Sequence, residues 1–196
     1  MSEPEGERRR EWVAGRIAAA RPLQDGAMRL SDGIPMDPES VSRMLGDALA
    51  ELHATSAEDS SFPVVSPEAL RARAHGRVDI DAAPATEGPY RGIAPARLLE
   101  ILDEQLGGLD DDRQTVVHGA LTASDVWIHP EAGLVLDGWD GVAIGDPHLD
   151  LAVGAGLLGD TYGYAVAGPF FDAYGLDKVD ALRLDTFQLL AHMLRA

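Results

Sequence analysis

Val117-His118-Gly119-Ala120-Leu121-Thr122-Ala123-Ser124-Asp125-Val126-Trp127-Ile128 and, shortly after it, Leu136-Asp137-Gly138-Trp139-Asp140-Gly141-Val142-Ala143-Ile144-Gly145-Asp146-Pro147-His148-Leu149-Asp150-Leu151-Ala152 are the stretches that decide the fold. Each joins a short apolar run to a loop dense in Asp, Gly and His. Thr115-Val116-Val117, Val126-Trp127-Ile128 and Leu134-Val135-Leu136 read as brief strands separated by turn residues. They are too short and too close for crossover helices, which argues against a doubly wound parallel sheet. Asp146-Pro147 then opens a helix, with Asp146 as its N-cap and proline in the first turn.

Outward from this centre the texture is helical. Asp37-Pro38-Glu39 is a helix start, and Val41, Met44, Leu45, Ala48, Leu49 and Leu52 follow at helical spacing as one buried face. Ser66-Pro67-Glu68 repeats the start signal. Ala94 to Leu106 makes another helix, which Gly107-Gly108 ends. Residues from about Glu7 to Ala20 favour helix, with Trp12, Val13 and Ile17 as a short apolar stripe, and Arg21 to Met36 reads as a loop or short hairpin. Arg77 to Ile93 is linker-like. Val179, Leu182, Phe187, Leu190 and Leu194 mark the last helix. The fold class expected is α+β, mostly helical, with a few short strands.

At 196 residues and 45% hydrophobic the chain can bury a core of its own. It contains no cysteine, so it has neither disulfides nor thiolate metal sites. The acidic start, Met1 to Glu7, is unlike a secretory signal, and no apolar run is long enough to span a bilayer. A cytoplasmic location is expected. The formal charge of −17 excludes a nucleic-acid binder, since affinity for phosphate backbones needs clustered Lys and Arg. The one such cluster, Arg8-Arg9-Arg10 with Arg16 and Arg21 beyond it, reads as the solvated face of the first helix. Among the sixteen Lys and Arg residues the single Lys is Lys178.

The two central segments together resemble the catalytic and metal loops of aminoglycoside phosphotransferases and related choline-kinase-like enzymes. In that family the first loop reads H-G-D-L-H-x-x-N, and the second reads I-D-W followed by G-D-P-x-x-D-L-A. Here Gly145-Asp146-Pro147-His148-Leu149-Asp150-Leu151-Ala152 matches the latter string. Val41 to His53 resembles an early helix of the family's C-terminal lobe, and Phe170 to Leu176 its late helix and turn. The resemblance implies a kinase-like C-terminal lobe over residues 37–196, with residues 1–36 as a helix and loop in place of the nucleotide-covering lobe. Fewer than about forty residues precede the first lobe-like helix, too few for a five-stranded sheet at ordinary strand and loop lengths.

The resemblance also implies a role for each site position, and the chain departs at most of them. The family's base falls on Ala120, two residues after His118, which has no titratable group. Its metal-binding Asn falls on Asp125. Its metal-binding Asp, counted back without gaps from Gly145, falls on Gly138, with Asp137 one residue before and Asp140 two after. Asp137 is usable only through a local bulge, because one residue of register turns a strand side chain to the opposite face. No glycine-rich phosphate loop appears and Lys178 is far along the chain, so no residue anchors a nucleotide. Asp146 and Asp150 are expected to be structural, the latter bonding the backbone of Gly119-Ala120. His118 is expected to brace its loop. His129 and His148 with Asp140 and Asp146 read as ordinary loop residues rather than a metal site, and Asp110-Asp111-Asp112 as a solvated turn.

The function expected is therefore a non-catalytic, pseudokinase-like relative of aminoglycoside phosphotransferases with no cofactor. It would act on a protein partner, as a homodimer through the face that the first lobe would have met, or on a small cationic ligand in an acidic cleft. Trp12, Val13 and Ile17 are the internal candidates for covering that face. The alternative is an atypical small-molecule phosphotransferase that uses Mg-ATP through Asp125, Asp137 and Asp140, with a partner supplying the missing lobe. A structural partner subunit with no ligand is a third possibility.

Overall fold

A computed structural model of the chain describes residues 5–33, 36–58, 60–110 and 114–195. Met1 to Pro4, Pro35 of the expected loop, and Asp111 and Asp112 of the expected turn lie outside the described residues. Among these there are seven α-helices: α1 (Glu5–Ala14), α2 (Pro38–His53), α3 (Pro67–Arg77), α4 (Pro95–Gly107), α5 (His148–Tyr162), α6 (Ala167–Tyr174) and α7 (Ala181–Arg195). Five short strands accompany them: β1 (Met28–Arg29), β2 (Thr115–Val117), β3 (Val126–His129), β4 (Gly133–Leu136) and β5 (Ala143–Gly145).

Both sheets are antiparallel. One has the order β1-β3-β4 and the other pairs β2 with β5. In the β3–β4 hairpin Val126 stands opposite Leu136. One step beyond that pair the backbone N–H of Asp137 donates to the carbonyl of Asp125 at 2.8 Å. The hairpin thus delivers two carboxylates to one end of the sheet. The second sheet sets Val117 opposite Ala143, which brings the His118 loop beside the loop that follows β4.

The helix starts obey local chemistry. The Asp37 side chain accepts from Ser40 N–H at 2.9 Å, and Ser66 Oγ from Ala69 N–H at 3.3 Å. α2 buries Val41, Leu45, Leu49 and Leu52. They belong to the larger core, with Val13, Ile17, Ile128, Leu136, Leu158 and Phe170. A second core joins α3, α4 and α7 through Leu70, Leu98, Leu102, Leu106, Phe187 and Leu190.

Three expectations need correction. The first helix stops at Ala14, before Gly15, and the stretch to Ala20 ends in a separate 3-10 turn, Ala18–Ala20. Met28-Arg29 makes no local hairpin but pairs with β3. Leu182 is on the outer face of α7 and is 63% exposed.

Candidate functional site

β2 ends in two fully buried valines, Val116 and Val117, and the chain then turns through His118-Gly119-Ala120. The turn is held from below by Asp150, in the first turn of α5. One Asp150 oxygen accepts from His118 N–H at 2.6 Å, the other from Gly119 N–H at 2.9 Å. The backbone partners are therefore His118 and Gly119, not Gly119 and Ala120. The His53 ring approaches the same carboxylate at 3.2 Å, and its other nitrogen meets Tyr174 Oη at 3.0 Å. Burial acts most strongly on Asp150 and pushes its pKa up. The hydrogen bond and charge of His53, with His118 and the Gly119 N–H, outweigh it, and the group is held below its ordinary value of 3.8.

His118 is fully buried and spans two loops. Its Nε2–H donates to the Asp137 carbonyl at 2.7 Å, and its ring lies 4.8 Å from that of Trp139. Gly119 has φ 75°, and a Cβ there would strike the Gly141 carbonyl. The Ala120 methyl packs against Gly141 in turn, while Ala120 itself is exposed.

The β3–β4 register runs without an extra residue, and the chain turns sharply just after Asp137. Gly138 sits in the left-handed region at φ 74°, between β4 and the 3-10 turn Trp139–Gly141. Gly138 faces the Asp125 carboxylate so closely that an added Cβ would lie 2.7 Å from Cγ. Asp125 Oδ2 is engaged by Thr122, from its N–H at 2.8 Å and its hydroxyl at 2.6 Å. Asp125, Asp137 and Asp140 all line one open cavity of about 760 Å³, together with Trp127, Arg29 and residues of α1.

That α1 contribution was hidden in the sequence. Arg10 forms an ion pair with the Asp137 carboxylate, and Arg9 Nη1 donates to the Asp140 carbonyl at 2.7 Å. The arginine run is therefore more than a solvated face. Arg16 lies over the Trp12 ring at 4.1 Å, and Arg29 over Trp127 at 4.5 Å. Two exposed clues exist in the sequence: three consecutive arginines in an acidic chain, and several Asp residues with no nearby cation.

A metal fits this set only in part. Among the described residues no group of three or more His, Asp or Glu side chains converges to hold an ion. Asp137 has Arg10 on it, and Asp125 is bonded to Thr122. Mg²⁺ takes one or two carboxylates together with waters and substrate phosphates, so Asp125 and Asp137 would be the residues to hold it once Arg10 leaves Asp137.

The remaining polar residues bond to one another and to nearby backbone. Asp146 accepts from His148 N–H at 2.9 Å and from His148 Nδ1 at 2.7 Å, and its other oxygen accepts from Arg183 Nη1 at 2.5 Å. Burial, the largest influence, raises its pKa, but the His148 and Arg183 bonds together bring it below 3.8. His148 Nε2 accepts from Asp180 N–H at 2.9 Å, which leaves Nδ1–H for Asp146. His129 Nδ1 accepts from Glu131 and Ala132 N–H, tying a turn. Asp110 is exposed but pairs with the buried Arg183 guanidinium, so it is no free solvated turn residue.

A second concavity of about 680 Å³ lies between α5, α6, α7 and the loop at Tyr90. Its walls are Ala155, Gly156, Phe171, Tyr164 and His192, and Asp160 is the one carboxylate among the lining residues. This groove is mostly apolar, whereas the cavity at Asp125, Asp137 and Asp140 is lined by five carboxylates.

Comparison with known proteins agrees with this architecture. The phosphotransferase enzyme family (APH) profile matches residues 10–184. A type VIII aminoglycoside-3'-phosphotransferase is 25% identical with a TM-score of 0.60 over 91% of this chain and 65% of its own. An aminoglycoside phosphotransferase from Streptomyces rimosus, solved with ADP and streptomycin, is 19% identical with a TM-score of 0.70, covering 97% and 81%. A type I macrolide 2'-phosphotransferase is 18% identical with a TM-score of 0.64, covering 96% and 70%. The chain thus spans about two thirds of the first of these structures. A search of the curated proteins finds no significant match. With most of its length matched by the family profile and its helices and loops arranged as in these kinase-like structures, the chain belongs to the phosphotransferase enzyme family.

Proposed function

We propose that the chain uses a phosphotransferase fold for binding and transfers no phosphate. The observation that carries this reading is the engagement of the carboxylates around the His118 loop. Ala120 occupies the base position of the family motif and cannot take a proton. Asp150 is committed to the loop backbone, Asp125 to Thr122 and Asp137 to Arg10. A general base must come within about 2.6–3.2 Å of the proton it removes. Moreover, phosphoryl transfer draws most of its acceleration from positioning and charge neutralisation at the phosphates. The cavity lining has five carboxylates against two guanidiniums, Arg10 and Arg29, a balance that repels a polyphosphate.

The groove at Tyr90 and Phe171 is the proposed ligand site. Aromatic walls with a single carboxylate, Asp160, suit an apolar body bearing one amine better than a polycation. A macrolide fits that description more closely than streptomycin, and the relatives named above include enzymes for both ligand types. A protein partner or a second copy of the chain belongs to the same reading, as does a cytoplasmic location. Val13 of α1 and Ile17 just after it are buried in this chain's core, which favours this segment as an internal cover over a partner chain. The test is incubation of the purified chain with Mg-ATP and either antibiotic class. The expected result is no phosphorylated product and saturable macrolide binding that Asp160→Asn weakens. Saturable Mg²⁺-dependent ATP binding contradicts the proposal.

One observation favours a second reading, an atypical phosphotransferase using Mg-ATP. Asp125, Asp137 and Asp140 share a cavity, and Asp140 is exposed on its wall. Turnover abolished by Asp140→Asn would support it.

A further inference from the structure

We propose that α1 is a strap on the His118 loop: while Arg9 and Arg10 are docked, the turn from Asp137 to Asp140 holds the His118 ring, and their release loosens it. The inference does not depend on whether the chain transfers phosphate.

The strap has one firm end and one loose end. Val13 is fully buried, and Trp12 packs edge-on against Phe62 with ring centroids 4.7 Å apart. Just after the helix, Ile17 is buried as well, and its N–H donates to the Val13 carbonyl at 3.0 Å. The other end reaches the body through polar contacts, Arg10 to the Asp137 carboxylate and Arg9 Nη1 to the Asp140 carbonyl at 2.7 Å. Consecutive residues of α1 thus grip both ends of a single turn. The Arg10 and Asp137 side chains are 55% and 30% exposed, so water and salt screen the pair and it opens readily.

What the turn holds is His118. The ring is fully buried, its Nε2–H donates to the Asp137 carbonyl at 2.7 Å, and its Nδ1 has no hydrogen-bond partner. The ring it packs against is Trp139, 4.8 Å away. Both contacts therefore come from the turn that α1 grips. Just beyond it, the Gly141 carbonyl presses so closely on Gly119 that a Cβ there has no room. Groups packed this tightly move together. Asp150, by contrast, binds only the backbone N–H groups of His118 and Gly119, so it keeps the loop folded without fixing the ring.

The reporter is the His118 Nε2 proton, followed by ¹H–¹⁵N NMR of the full chain at neutral pH. Arg10→Gln should speed its exchange with water on the order of fivefold, the factor that an exposed ion pair contributes. Asp137→Asn should do the same, and the double variant should add nothing further, because both remove one contact. Arg10→Lys, which keeps the charge, should restore part of the protection. Salt at about 1 M, where the screening length falls to about 3 Å, should accelerate exchange in the wild type and leave Arg10→Gln unmoved. The Ile17 amide should stay protected throughout, which separates release of the strap from unfolding. If a variant loses that protection, the wild type in salt decides alone, with faster Nε2 exchange expected and unchanged exchange contradicting the proposal. Unchanged Nε2 exchange in a folded Arg10→Gln, with or without faster exchange over residues 7–11, overturns it. So does an Nε2 proton too labile to be seen in the wild type, since the ring is then not held.

Discussion

Gly138 sits at φ 74° between β4 and the turn at Trp139, and any side chain on it meets the carboxylate of Asp125. Gly138→Ala should therefore cost about 1–3 kcal/mol, from left-handed strain and the displaced carboxylate together, read from a urea midpoint. Asp150 gives a prediction in pH. Its folded pKa is depressed, as is that of Asp146, so the stability they confer is fully present above the ordinary value of 3.8. It is lost as pH falls below that value and through the lower folded one. Asp150→Asn should destabilise the chain at neutral pH and flatten the acid limb of its stability profile. An unaltered acid limb would show that the His118 loop is held by other bonds. The loop residues were legible because their spacing is local: Ala120 follows His118 by two, and Asp150 lies within the motif string. Asp137 was less so, because its place at the cavity depends on the left-handed turn at Gly138 that follows it. Arg9 and Arg10 were illegible for a different reason. They meet their partners across more than 120 residues of chain, and nothing in a helical face says which loop will cross it.

Asp146 links an element boundary to the packing of two others. The N-cap position of α5 is Pro147 rather than Asp146, but the Asp146 side chain accepts from the first N–H of α5 and also from Arg183 of α7, a side chain only 8% exposed. Asp146→Ala should cost more than the about 0.5–2 kcal/mol of an ordinary cap, because it also strips a partner from a buried guanidinium. Asp110 retains its own bond to Arg183 and limits the loss. A cost within the cap range would mean that Asp110 carries the pairing. Gly46 plays the matching part where α2 meets α6. A Cβ there would lie 3.0 Å from Ala173 Cβ and within the backbone of Phe170, so Gly46→Ala should destabilise by about 1–3 kcal/mol through overpacking. The helices were readable from Asp37-Pro38, Ser66-Pro67 and the periodic leucines, since caps and faces are written within a few residues. β5 was not, because Ala143-Ile144-Gly145 has one strand-forming side chain and owes its conformation to β2 alongside it.

Across the whole molecule, the chain carries the helices and loops of its family. Its helices and two small sheets follow the fold of the phosphotransferase structures, and Asp150 holds the His118 loop through two backbone N–H groups. Those loops present an alanine, Ala120, two residues after His118, and an arginine of α1 on Asp137. Among the described residues no helix is long and apolar enough to cross a membrane. The most direct measurement of the central claim is phosphate transfer from [γ-³²P]ATP with Mg²⁺, to streptomycin and to a macrolide, by the wild type and by Ala120→Asp. A general base alone contributes about 10²–10⁴-fold, whereas the larger share of the rate comes from holding and neutralising the phosphates. Both proteins should therefore give only the protein-free rate. Transfer above that rate by either one, saturable in ATP, would contradict the account.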